Sequence, residues 1–146
     1  DLHSLVSLKN IGNKVAIVDG PYTENLGVAF LPYIHDKEEF TQKANELAKN
    51  AKLLFCHQTF AGSKFENGFW APDGVNPDNI NFEQIVSGHI HAAQNFGKVL
   101  YPGTPMWHTA SDANQHKAIM KMIIDSKGLL VSYEKIDTSE VVTPIY

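Results

Sequence analysis

The stretch Ala51-Lys52-Leu53-Leu54-Phe55-Cys56-His57 decides the fold class. Its apolar side chains do not alternate with polar ones, as they would on a sheet with one wet face. A nearly continuous apolar run suits a central strand covered on both sides. Just upstream, Asp36 to Asn50 reads as a helix. Asp36 can cap it, Glu39 follows at capping-box spacing, and Phe40, Ala44, Leu47 and Ala48 line up as one apolar stripe. Earlier still, Lys14–Val18 and Leu26–Leu31 read as short buried strands. Asp19-Gly20-Pro21 supplies turn chemistry between them, and Pro32 ends the second. Downstream, Gln58 to Asn81 is rich in Gly, Pro, Asn, Asp and aromatics, and a loop of that length in a compact domain is either functional or hides a short helix. Ile85-Val86-Ser87 and Lys98–Tyr101 are further strands. Lys117–Ile124 and Leu129–Ile136 form a closing hairpin about a turn at Asp125–Gly128. The expectation is a mixed α/β sandwich, with residues 1–146 in a single domain.

Composition narrows the function classes. With 43% hydrophobic residues, 19% charged residues and a net charge of −4, the chain is no basic glove for nucleic acid. Any contact with a polyanion must come from a local site. The single cysteine, Cys56, rules out an internal disulfide and suits a reducing compartment. No apolar run approaches the roughly 18 residues of a membrane span, and no basic-then-apolar leader opens the chain. The composition therefore points to a soluble, cytoplasmic protein with no membrane partner.

The seven histidines are numerous for this length, and their placement matters more than their number. His57 ends one apolar run; His89 and His91 follow another, in Gly88-His89-Ile90-His91. Where a strand end turns, both can reach one cluster. Gly88 leaves room there for a close approach. Alone, the pair reads better as a histidine pair on a polar loop, and His57 alone as a satisfied core or boundary histidine. If the two strands are adjacent, however, three imidazoles gather at their carboxyl ends, where open α/β sheets bind ligands. Neutral imidazole suits Mn, Fe, Zn or Ni, so His57, His89 and His91 are candidate metal ligands. Cys56 faces away from His57 and reads as a buried small hydrophobe. His35 and His116 read as surface residues, and His108 and Asp112 as solvated loop residues with a possible role at substrate. Phe60, Phe65, Phe69 and Trp70 either pack their loop onto the sheet or stack on unpaired bases; packing is favoured because no Lys/Arg pattern interleaves them.

Taken together, Phe55-Cys56-His57, Gly88-His89-Ile90-His91 and Tyr101-Pro102-Gly103-Thr104-Pro105 resemble the later motifs of the calcineurin-like metallophosphoesterases. The resemblance runs over roughly residues 26 to 135 and is closest to the SbcD-type DNA exonuclease branch. It implies the C-terminal half of a four-layer α/β/β/α sandwich with mixed sheets. It implies two divalent metal ions, manganese first with iron or zinc as alternatives, His57 and His89 holding the second ion and His91 the first. It places Gly103, Thr104 and His108 beside substrate. The implied reaction is in-line attack on a phosphodiester, with DNA as substrate and a coiled-coil ATPase as partner.

The departures are as informative. The family's GDxxD and GNH motifs are absent from these residues. Asp1-Leu2-His3 matches a DxH, but no strand precedes it; Asp1 reads better as the last residue of a GNHD cut at the start of the chain. No catalytic residue is assigned, and the chain alone is expected to be nearly inactive and to bind metal weakly. Two other readings stay open: a phosphoprotein or small-molecule phosphatase or phosphodiesterase of the same superfamily, and a non-catalytic binding domain that kept the fold.

Overall fold

A computed structural model describes residues 17–24, 26–108, 110–112 and 115–138. Among these residues the chain is α/β, built on a six-stranded mixed sheet with a two-stranded hairpin beside it. In chain order the elements are β1 (Tyr22–Glu24), β2 (Val28–Leu31), α1 (Lys37–Leu47), β3 (Leu53–Cys56), β4 (Gln84–Ser87), β5 (Gln94–Phe96), β6 (Val99–Tyr101), β7 (Ala118–Ile124) and β8 (Leu130–Asp137). The large sheet runs β1-β2-β3-β4-β6-β5. Its four central strands are parallel, and β1 and β5 pair antiparallel on the two edges.

Leu53–Cys56 is central, and both its faces are covered. Leu54 joins Ala29, Ile85, Val99 and Tyr101 on the side packed against Phe40 and Ala44 of α1. Leu53 joins Val28, Val86 and Leu100 on the other side, under Met120, Met122, Ile124 and Leu130 of the hairpin. Helix, sheet and hairpin are thus stacked layers. Phe40, Leu54 and Ile85 are 0% exposed, each contributing about 1.5–3 kcal/mol of transfer free energy. The hairpin is also fastened by a paired amide: the Gln84 side chain donates to the Leu130 carbonyl at 2.9 Å and accepts from the Leu130 N–H at 2.7 Å.

The helix begins where its cap predicts. The Asp36 carboxylate accepts from the Glu39 N–H at 2.8 Å, an arrangement whose loss typically costs about 1 kcal/mol. The box is half formed, because Glu39 turns to Lys43 one turn on, at 2.6 Å. The helix ends at Leu47, short of Asn50, in a turn over residues 48–50. Of the expected strand Lys14–Val18, Ile17 and Val18 are irregular, and the rest lies outside the described residues, as does the Asp1 reading. The strand beside β2 is instead Tyr22–Glu24, and β5 was not expected from the sequence. The long loop is organised by bridges Phe60↔Val75 and Lys64↔Trp70 and by a 3-10 turn at Pro77–Asn79. Its aromatics divide: Phe60 is in the core and Phe65 packs against it, whereas Phe69 and Trp70 are exposed, with Lys64 Nζ 4.3 Å above the Trp70 ring. Among the described residues no helix is long and apolar enough to cross a membrane.

Candidate functional site

Parallel pairing puts the carboxyl ends of β2, β3, β4 and β6 along one edge. Leu31 is level with Cys56, and Cys56 with Ser87. Tyr33, His57, Gly88-His89-Ile90-His91 and Pro102-Gly103-Thr104 therefore leave the sheet at the same end. A cavity of about 620 Å³ opens at the other end, between Gln84, Lys98 and Tyr133, and none of the histidines lines it. Ligands of open α/β sheets collect at carboxyl ends, so the histidine edge is the candidate site.

His57 is set by what lies beneath it. Ser87 Oγ accepts from the Gln58 N–H at 2.9 Å and donates to the Gln58 carbonyl at 2.7 Å; the Tyr101 hydroxyl donates to that carbonyl at 2.9 Å. The backbone next to His57 is thus held by β4 and β6 together. Above it, His57 Nε2 stands 3.3 Å from His89 Nδ1, with the rings edge to face at 88°. Gly88 makes this possible, since a Cβ there would lie 2.6 Å from His57 Nδ1. Burial, followed by the nearby His89 and His91, lowers the His57 pKa, which favours its neutral form. On the far side of His89 the Tyr33 ring stacks at 6.1 Å and 11°, and the Tyr33 hydroxyl lies 3.3 Å from His35 Nδ1.

His89 also carries strain. Among the described residues it is the non-glycine with left-handed backbone, φ 79°. Such a conformation costs a Cβ-bearing residue about 1–2 kcal/mol, and strain of this kind gathers at functional sites. It turns the chain sharply, so that His91 leaves on a different heading.

His91 is held from several sides. The Glu66 carboxylate accepts from its N–H, and its carbonyl accepts from Thr104 N at 3.2 Å and from Lys117 Nζ at 3.1 Å. Its ring Nδ1 lies 3.3 Å from Asp112 Oδ2, and the His108 ring is 5.3 Å away. Gly103 fits closely against this segment: its φ is 79°, and a Cβ would meet the His91 carbonyl at 2.8 Å and Ala93 N at 2.9 Å. Asp112 is not the solvated loop residue that its polar neighbours suggest. It is 0% exposed and bound to buried Lys117 at 2.6 Å. His35 and His116 are exposed, and Thr104 Oγ1 donates to the Met106 carbonyl at 2.9 Å. Cys56 packs against the core, and burial pushes its thiol up to about 12.

The expected trio therefore separates into a pair and a neighbour. His57 and His89 face each other; His91 turns to Asp112 and His108. Among the described residues no three His, Cys, Asp or Glu side chains converge on one point as a metal-binding group. The pair by itself suits one ion, because two imidazole nitrogens each about 2.05 Å from a tetrahedral metal stand about 3.3 Å apart. Residues that sequence reasoning missed are Tyr33, Glu66 and Lys117. Tyr33 was findable, since it follows the end of β2; Glu66 and Lys117 reach the site only through tertiary contacts.

No family model matches the chain. The chain is similar to the protein named "Putative phosphoesterase 244L" of Invertebrate iridescent virus 6, at 30% identity over 82 residues. The match covers 56% of this chain and 28% of the viral protein, so well under half of that relative's length is matched.

Proposed function

We propose that this chain is part of a metal-dependent phosphoesterase whose strand-end histidines hold the metals. The observation that carries the reading is the His57–His89 pair, 3.3 Å apart, with Gly88 emptied of side chain to admit it and His89 strained to complete it. The name of the viral relative points to the same chemistry. His57 and His89 would hold one ion and His91, headed elsewhere, a second, which is the division that the motif resemblance implies. Bound there, divalent ions would polarise phosphoryl oxygens and the attacking water. The chain's own residues do the positioning. Ser87 and Tyr101 hold the backbone under His57, Tyr33 backs His89, and Glu66, Thr104 and Lys117 hold the main chain of His91.

Within that reading the hairpin β7–β8 is one margin of the second sheet of a four-layer sandwich, and a phosphodiester, DNA foremost, is the substrate. With net charge −4, DNA would be gripped at the metals rather than by a basic face. The test assays the complete protein with manganese on DNA ends, on bis-p-nitrophenyl phosphate and on a phosphomonoester. The reading expects manganese-dependent turnover of the diesters that is abolished by His57→Ala. Turnover of the monoester alone would move the protein to a phosphatase branch. The absence of a three-ligand cluster among the described residues favours one other reading, a binding domain that kept the fold; no turnover on any substrate would establish it.

A further inference from the structure

Behind His91 lies a buried ion pair that neither the motifs nor the pair at His57 explains. Asp112 is 0% exposed and Lys117 6% exposed. The Lys117 ammonium donates to Asp112 Oδ1 at 2.6 Å, to Gln115 Oε1 at 3.0 Å and to the His91 carbonyl at 3.1 Å. These acceptors satisfy all its protons. Asp112 Oδ2 accepts from the His108 N–H at 3.0 Å and faces His91 Nδ1 at 3.3 Å. Burying two charges is costly unless both are paired and hydrogen-bonded, as they are here.

We propose that Asp112 is a positioning residue for His91, with Lys117 as its anchor. Lys117 Nζ and the His108 N–H can only donate, so both carboxylate oxygens act as acceptors, and the His91 nitrogen facing Oδ2 must carry the proton. When neutral, His91 is thereby fixed as the Nδ1–H tautomer. Its bare Nε2 is turned away from Asp112, free for a ligand at the strand-end site. Outer partners of this kind set the tautomer and ring orientation of metal-binding histidines. Lys117 ties the same carboxylate to the His91 main chain, so ring and backbone are set by one anchor. The inference rests on the reading of His91 as a ligand, but its test does not depend on activity.

The test is a long-range ¹H–¹⁵N correlation spectrum of the metal-free, complete protein, which reports which imidazole nitrogen bears the proton. The wild type should show His91 as Nδ1–H. Asp112→Ala/Lys117→Met, which removes both charges together, should lose that tautomer's dominance, and Asp112→Asn/Lys117→Met, which restores an acceptor oxygen, should regain it. A wild-type His91 protonated on Nε2 and not on Nδ1 would overturn the proposal, and this measurement decides the matter even if the variants do not fold. A folded alanine–methionine variant with its tautomer unchanged would overturn it too, since the pair would then be purely structural. Manganese added to the wild type separates the two readings. A His91 that shows the Nδ1–H tautomer, loses it in the double variant and is not broadened by Mn²⁺ would support the positioning role and reject the ligand role.

Discussion

Replacing His89 by glycine and by alanine separates what the residue does from what it costs. Both substitutions remove the imidazole, its 3.3 Å approach to His57 and its stack on Tyr33, so those losses cancel in the comparison. What remains is backbone. At φ 79° an alanine keeps the left-handed penalty of about 1–2 kcal/mol, whereas glycine has none. Glycine gives back about 0.5–1 kcal/mol through its freer unfolded chain. His89→Gly should therefore be more stable than His89→Ala by about 1 kcal/mol. For a domain of this size that separates their melting temperatures by about 3 °C. Thermal or urea unfolding of the two variants reads the difference directly, and both should lose metal binding. An alanine variant as stable as the glycine variant would refute the claim that strain is stored at this residue.

Gly88→Ala should affect the site more than the fold. The new Cβ would force the His57 ring back by about 1 Å to reach ordinary contact. The ring is only partly buried and can yield, so the melting temperature should fall little. Metal affinity should fall about 10–100-fold, as when a supporting contact is lost; Gly103→Ala, which meets backbone at 2.8 Å with φ 79°, should instead mainly destabilise the fold. Asp112→Ala alone leaves the Lys117 charge buried, and unfolding should show a loss of about 3–5 kcal/mol. Asp112→Ala/Lys117→Met should recover much of that loss. Alkali should weaken the fold through two groups. Burial raises the Cys56 thiol from 9.0 to about 12 and is the leading cause raising the Tyr101 hydroxyl from 10.0 to about 12. Both stay protonated in the folded chain after the unfolded chain has ionised, so their stabilisation is complete below pH 9 and is lost as pH climbs to about 12. A urea midpoint flat from pH 8 to 11 would contradict this, as would rapid labelling of Cys56 by a thiol reagent at pH 8 in the folded protein.

Local signals were readable in the sequence where they coincided with tertiary demand. Leu53–Cys56 is apolar on both faces because helix and hairpin cover both, and Asp36 caps because nothing else competes for the Glu39 N–H. His57 and His89 could be paired because parallel register makes strand ends coincide. The edge strands were harder. Tyr22–Glu24 and Gln94–Phe96 are short and carry no apolar alternation, and they pair because a neighbouring strand offers free backbone groups. Asp112 defeated local reading for a related reason. Its neighbours in sequence are polar, and its burial is created by Lys117 and by a histidine 21 positions upstream. The split of His91 from the other two imidazoles follows from the positive φ of His89, which no pattern of residue types encodes.

The central claim is that the strand-end histidines are a metal site. A manganese titration followed through the side-chain resonances of all seven histidines tests it most directly. Paramagnetic broadening should reach His57 and His89 at lower Mn²⁺ than the exposed His35 and His116. Uniform fading of all the histidines, or earlier loss of His35 and His116, would contradict the account.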